Sequence, residues 1–306
     1  MREMSKTFDM FICDLIFNMK SLRLLTYLCI AMQLSSCSLF DNENPIPGFL
    51  VFDNPTLITN GEQGAPTHNI KDVWVFDGPD FLGIFPLPAK VPVIITGEEK
   101  QFSIFAGVRN NGGVGNALRY PFFKQIEASA TLEAREEKTI PLNFEYSDNV
   151  KFDFIEEFEG NHIFVEDPND TDGEGLDIII QSEVVLSGNS SAQILFESDT
   201  SSFERTTLAT YDRQNNLGSA TFIEIDYKCE IPFLAGWITY QDNFVQRDYT
   251  VLVAPSEEWN KIYIDISEFV GNVEIDRYTI ALASAITAGN ELPSNVYLDN
   301  IKLVHF

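Results

Sequence analysis

Hydrophobic and polar positions alternate in short runs along most of this chain, and no long stretch keeps a helical spacing. Ile70–Phe76 (IKDVWVF) sets the type: β-branched Ile70, Val73 and Val75 favour extended backbone, and Trp74 and Phe76 fall on one face. Asp77-Gly78-Pro79-Asp80 breaks the run with a turn, and Phe81–Phe85 resumes it. Prolines 86, 88 and 92 confine the next piece to a sheet edge or to irregular backbone. Gln101–Val108, Tyr120–Phe123, Glu127–Leu132 and Thr139–Tyr146 are further predicted strands, with the flexible loop Asn110–Gly115 between the first two. This succession predicts a small Ig-like β-sandwich over 49–148.

The same rhythm continues over 149–306. Strands are predicted at Leu176–Leu186, Ser191–Glu197, Thr206–Tyr211, Thr221–Ile231, Gly236–Tyr240, Tyr249–Val253, Lys261–Ile266, Thr279–Ala285 and Val296–Val304. Ser256–Asn260 is predicted as a single helical turn. Such an antiparallel series suits a larger jelly-roll β-sandwich, so the fold class is all-β.

Two resemblances accompany these readings. The run Val73–Gly112, with VWVFDG, LGIFPLPA and AGVRNNGG, resembles the PEGA-type or prealbumin-like sandwiches of surface proteins. Glu156–Gly160 (EEFEG), Trp259–Ser267 (WNKIYIDIS) and Tyr297–Leu303 (YLDNIKL) resemble carbohydrate-binding jelly rolls of the galactose-binding-like type. That second resemblance implies a structural Ca²⁺ shared by an N-terminal acidic group and an Asp of the last strand. Its matching positions are Glu157 or Glu159 and Asp299, and oxygen-rich sites of this kind suit calcium. Aromatic side chains that would stack on sugar rings are Trp237, Tyr240 and Tyr249, with Trp259 expected to plug the core. Trp237 and Tyr240, three apart, face opposite sides of a regular strand.

The N-terminal part has another character. From Met19, Lys20 and Arg23 precede the apolar Leu24–Met32, and Leu34-Ser35-Ser36 lead to Cys37. That order is the order of a secretion signal, and its apolar centre is far short of the ~20 residues that span a bilayer. Leu34–Cys37 resembles the lipobox of bacterial lipoproteins, which implies a leader over 1–36 and a lipidated Cys37. Translation is expected to start at Met19. Ser38 resembles the outer-membrane sorting position of Gram-negative lipoproteins, and Asp41 with Glu43 resembles the surface-export signals of Bacteroidetes lipoproteins. Residues 37–48 then form a polar, proline-bearing tether.

Charge and chemistry narrow the function further. Asp and Glu number 46 against 20 Lys and Arg, a net charge of −26 that repels nucleic-acid phosphates. With Cys13 and Cys29 in the leader and Cys37 lipidated, Cys229 is the single thiol left, expected as a buried apolar residue. Asp167–Gly175 fails as an EF-hand, because Pro168 and Ile179 fall at its first and last ligand positions; a looser turn through Asp170, Asp172 and Glu174 stays open. His68, His162 and His305 have no partners at metal-ligand spacing, and Gly188–Ala192 lacks the last glycine of a nucleophile elbow. The expectation is a lipid-anchored envelope protein of the outer membrane or cell surface that binds a glycan without catalysis. The alternatives are an adaptor that binds other envelope proteins and, more weakly, a glycoside-active enzyme.

Overall fold

A computed structural model describes residues 46–113, 115, 117–167, 175–212, 220–241, 244–271 and 275–306. Within it, Gly48–Phe306 forms one compact unit with two hydrophobic cores. The architecture is all-β, as the alternation predicts.

The first core is enclosed by ten short strands: β1 (Gly48–Phe52), β2 (Thr56–Ile58), β3 (Asp72–Asp77), β4 (Asp80–Pro86), β5 (Ala89–Val93), β6 (Lys100–Arg109), β7 (Ala117–Arg119), β8 (Ile126–Ala130), β9 (Glu137–Thr139) and β10 (Asn143–Glu145). One sheet runs β4-β3-β6-β7 with β8 also on β6; β5-β1-β9 and β10-β2 face it. Val73, Val75, Phe102 and Ile104 point inward, against Leu50, Phe52, Val91 and Val93. Pro92 lies on β5, an edge strand, as its missing N–H requires. Tyr120–Phe123 is not a strand but a buried aromatic bend joined to Tyr146 by one bridge at Phe123.

The second core lies between two larger sheets. Their strands are β11 (Lys151–Glu156), β12 (Phe164–Val165), β13 (Ile179–Gln181), β14 (Ser191–Phe196), β15 (Ser202–Thr207), β16 (Tyr211–Asp212), β17 (Thr221–Cys229), β18 (Phe233–Gln241), β19 (Phe244–Val253), β20 (Ser256–Asp265), β21 (Arg277–Ala285) and β22 (Ser294–His305), with one short helix, α1 (Ser267–Val270). One sheet runs β13-β14-β22-β17-β20 with β11 on β22, and the other β12-β15-β21-β18-β19 with β16 on β21. Two elements depart from the sequence pattern. The predicted strand Leu176–Leu186 is extended only over Ile179–Gln181, because the Gln181 side chain folds the following residues into a turn. It accepts from the Glu183 and Val184 amides at 2.7 and 2.9 Å and donates to the Val184 carbonyl at 2.8 Å. Ser256–Asn260 is strand rather than helical turn, paired with β17.

Strand β17 shows how the cores join. Ile223, Ile225, Tyr227 and Cys229 enter the jelly-roll core, so Phe222, Glu224 and Asp226 face the other way. That face is covered by the first sandwich: Phe222, Tyr263 and Val304 belong to its core. The Phe222 ring meets Tyr120 and Phe122 edge-on at 5.5 and 5.6 Å. The sheet that holds β17 and β22 is therefore buried on both faces.

Candidate functional site

Cross-strand register sets a row of charges on that covered face. Glu224 is opposite Lys302 on one side and Tyr263 on the other, while Asp226 lies between Asp299 and Lys261. All five charged side chains are buried. Lys261 Nζ reaches Glu224 at 3.1 Å and Asp226 at 3.4 Å, and the Tyr120 and Tyr146 hydroxyls donate to Glu224 at 2.5 and 2.9 Å. Burial alone would raise the Glu224 pKa, but Lys261, Lys302 and the Tyr120 hydroxyl outweigh it and hold the carboxyl below its usual value. Lys302 donates to the Gln63 and Ala65 carbonyls at 2.7 and 3.2 Å, and burial brings its ammonium down to about 8. Every donor and acceptor is answered from within, so this cluster fastens the two sandwiches together.

The other jelly-roll sheet turns its outer face away from the first sandwich. Pairing places Tyr249, Gly236, Ala281 and Thr206 in one row across β19, β18, β21 and β15, all pointing outward. The next row holds Arg247, Ile238 and Thr279, and the one after it Val245, Tyr240 and Arg277. The small row Gly236, Ala281 and Thr206 lies low between Tyr249 and Arg247 on β19 and Glu204 on β15, a trough whose floor these longer side chains cover, so that Ile238, Thr279, Ala281 and Thr206 are buried. At Gly236 the smallness is obligatory: a Cβ there would sit 2.0 Å from the Asp248 carbonyl oxygen, at a bulge between β18 and β19. Arg247 reaches across the trough to Glu204 at 3.1 Å and to Asp167. Burial first, and the Glu204 carboxylate next, push the Tyr249 phenol far up. Tyr240 is half-buried at the end of the trough, where burial also raises its phenol. The trough therefore joins two aromatic rings to a forked donor and two carboxylates, a set suited to a flat polyhydroxylated ring.

Of the residues proposed from sequence, Tyr240 and Tyr249 share this face, two rows apart. Trp237 does not: it lies in the jelly-roll core, 8% exposed, with its ring 4.1 Å from that of Phe269 on α1. Pairing with Ile280 turns it inward, opposite in sense to Tyr240. Trp259 is not core either; it is half-buried and lines a surface cleft. Arg247 and Glu204 escape sequence reasoning, because isolated charges on alternating strands read as ordinary solvent-facing positions.

The carboxylates that the resemblance assigns to Ca²⁺ are each held by backbone amides. Glu157 accepts from the Ala65 amide at 3.0 Å. Glu159 is held by the Asn189 and Ser190 amides at 2.6 and 3.1 Å, and Asp299 by the Ser187 and Asn300 amides at 3.2 and 2.9 Å. Peptide N–H groups of the loop Ser187–Ser190 thus stand where the shared cation was expected, and burial raises the Asp299 carboxyl to about 7. The buried acid of the EEFEG run is Glu156, which accepts from the Phe158 and Ile163 amides at 2.7 and 2.8 Å. Among the described residues no group of three or more His, Cys, Asp or Glu side chains is set to hold a metal. Asp170, Asp172, Glu174 and Cys37 lie outside the described residues. Cys229 is buried in the core, where burial pushes its thiol up to about 11. No helix among the described residues is long and apolar enough to cross a membrane.

No protein-family model matches the chain, and no curated protein matches it in sequence. Its structural neighbours are carbohydrate-binding modules. They include the xylan-binding domain CBM22-1 of Paenibacillus barcinonensis Xyn10C, at 12% identity over 51% of this chain and 94% of that one, with a TM-score of 0.35. A family 30 module of a Clostridium thermocellum cellulosomal cellulase is similar at 13% identity, over 50% and 92% of the two chains, with a TM-score of 0.33. A family 29 module crystallised with mannohexaose gives 14%, 51%, 92% and 0.30 in the same measures. The likeness is one of β-sandwich fold and says nothing of what this chain binds.

Proposed function

We propose that this chain is a non-catalytic glycan-binding protein whose binding face is the Tyr240–Arg247–Tyr249 trough. One observation carries the reading. The jelly roll has two sheet faces outside its core: the first sandwich covers one, and the other bears aromatic rings beside a forked cation and carboxylates. A neutral oligosaccharide would lay a ring against Tyr249 and exchange hydroxyl hydrogen bonds with Arg247 and Glu204. Titration of neutral β-linked oligosaccharides by calorimetry tests it. Tyr249→Ala is expected to weaken binding at least about tenfold, the loss of one good stacking contact, in protein that its melting transition shows to be folded. Unaltered affinity in that variant would refute the assignment of the face.

The proposal includes attachment to a Gram-negative outer membrane or cell surface through lipid on Cys37, supported by the signal-like order of charge, apolar centre and small residues before it. Cys37→Ser is expected to release the protein from membranes, and mass spectrometry of the mature N-terminus would show the acyl groups. A second reading, an adaptor for an envelope protein, is favoured by one exposed apolar strip on the first sandwich. There Phe81 and Ile84 are 50% and 38% exposed beside Trp74 and Phe76. Phe81→Asp would then abolish capture of the partner and leave glycan titrations as they were.

A further inference from the structure

A cleft of about 340 Å³ opens where the two sandwiches meet, between the segment Pro66–Lys71 and the middle of β20. An adjoining hollow of about 390 Å³ shares Asn69, Lys71, Asn260 and Lys261 with it. The lining reverses the sign of the molecule. Acids outnumber bases 46 to 20 in the chain, yet the cleft wall carries His68, Lys71 and Lys261 against Asp226 alone. The hollow adds Arg109, whose guanidinium is already paired with the Asp72 carboxylate.

The single acid is engaged, since Thr67 donates to Asp226 at 2.5 Å and Lys261 lies 3.4 Å away. Lys261 is likewise committed to Glu224, Asp226 and Thr67. Lys71 is exposed at the rim, and among the described residues its ammonium has no hydrogen bond or ion pair. Burial, and after it the ammonium groups of Lys261 and Lys71, lower the His68 pKa and hold its ring toward the neutral form, which leaves Lys71 as the available cation of the cleft. The amides of the floor are fixed: Asn69 donates to Asn260 Oδ1 at 2.8 Å and to the Lys261 carbonyl at 2.9 Å. Trp259 forms a half-buried aromatic wall beside them.

We infer that this cleft is a second binding site, for a sugar unit that bears a carboxylate. Lys71 would pair with the carboxylate, Trp259 would stack on the ring, and Asn260 would take its hydroxyls. The net charge of −26 repels a long polyanion, so a short acidic oligosaccharide or a chain end is the form that enters. The inference takes only the ligand class, carbohydrate, from the preceding proposal, and it concerns a different place on the molecule.

The test titrates the full chain with galacturonic acid trimer and with its neutral counterpart, galactose trimer, following Trp fluorescence and heat. The acid trimer is expected to bind and the neutral one to bind more weakly at this cleft. Lys71→Gln should weaken the acid trimer about five- to tenfold, the value of one exposed ion pair with its hydrogen bond, and added salt should mimic that loss. Trp259→Ala should abolish it, whereas Tyr249→Ala should leave it unchanged. Absence of acid-trimer binding, or binding indifferent to Lys71 and Trp259, overturns the inference. Failure of the trough instead appears as neutral-glycan binding indifferent to Tyr249, so the two outcomes are separable.

Discussion

The two sheets of the jelly roll each carry a set of opposite charges on the face away from the core, and the two sets do different work. On one sheet Glu224, Asp226, Lys261 and Lys302 are sealed beneath the first sandwich and answered by tyrosine hydroxyls and carbonyls. On the other, Arg247 spans a trough of small residues to Glu204 and Asp167, and its side chain keeps 31% of its exposure. Ion pairs of similar composition are sealed in one place and left partly open in the other, where Asp167 is 1% exposed but Arg247 and Glu204 keep 31% and 29%. The difference comes from the cover, not from the residues.

That contrast can be broken by substitution. Lys302→Met leaves Glu224 without its cross-strand partner and two carbonyls without a donor, and should cost about 3–5 kcal/mol in urea unfolding. A cost under about 1 kcal/mol would mean that the covered charges are dispensable. Asp299 supplies a pH test of the same buried face. Its folded pKa of about 7 lies above its ordinary 3.8, so its contribution is fully present below pH 4 and is lost as pH rises to about 7. Asp299→Asn should remove that fall in stability, a few kcal/mol at most, between pH 4 and 7. A pH profile that keeps its slope would place the titration elsewhere. Gly236→Ala, which forces a Cβ against the Asp248 carbonyl, should cost about 1–3 kcal/mol, read as a lower melting temperature. Smallest in stability is Arg247→Lys, within about 1 kcal/mol, because a cation still faces Asp167 and the Glu204 pair is about a third exposed. Yet it should weaken neutral-glycan binding about tenfold by losing the forked geometry.

Period-two alternation made the strands legible. Val73 and Val75 inward with Trp74 and Phe76 outward is what β3 does, and Pro92 on an edge strand follows from its chemistry. The opposed directions of Trp237 and Tyr240 were legible as well. Alternation was silent on what lies beyond each face. Glu224, Asp226, Lys261 and Lys302 read as solvent-facing partners of Ile223, Ile225, Ile262 and Ile301, and nothing local announces a second sandwich above them. The shortened strand after Leu176 was hidden in one side chain, since Gln181 competes for backbone amides that a ladder would otherwise use. Glu156 was passed over for Glu157 and Glu159 because neighbouring acids look alike until burial separates them. Trp259 was assigned to the core and lines a cleft, since hydrophobicity does not say which side of a junction an indole occupies.

Strand β22 has a consequence for how the molecule comes together. It is the final strand in sequence, yet β11, β14 and β17 all pair with it, and Lys151 is matched with His305 across more than half of the chain. A polypeptide emerging from the ribosome therefore holds β11 with no sheet neighbour, and β14 and β17 each with one edge open beside β13 and β20. Closure of the jelly roll and its docking to the first sandwich are both postponed until Ser294–His305 arrives, the slow regime of long-range pairing.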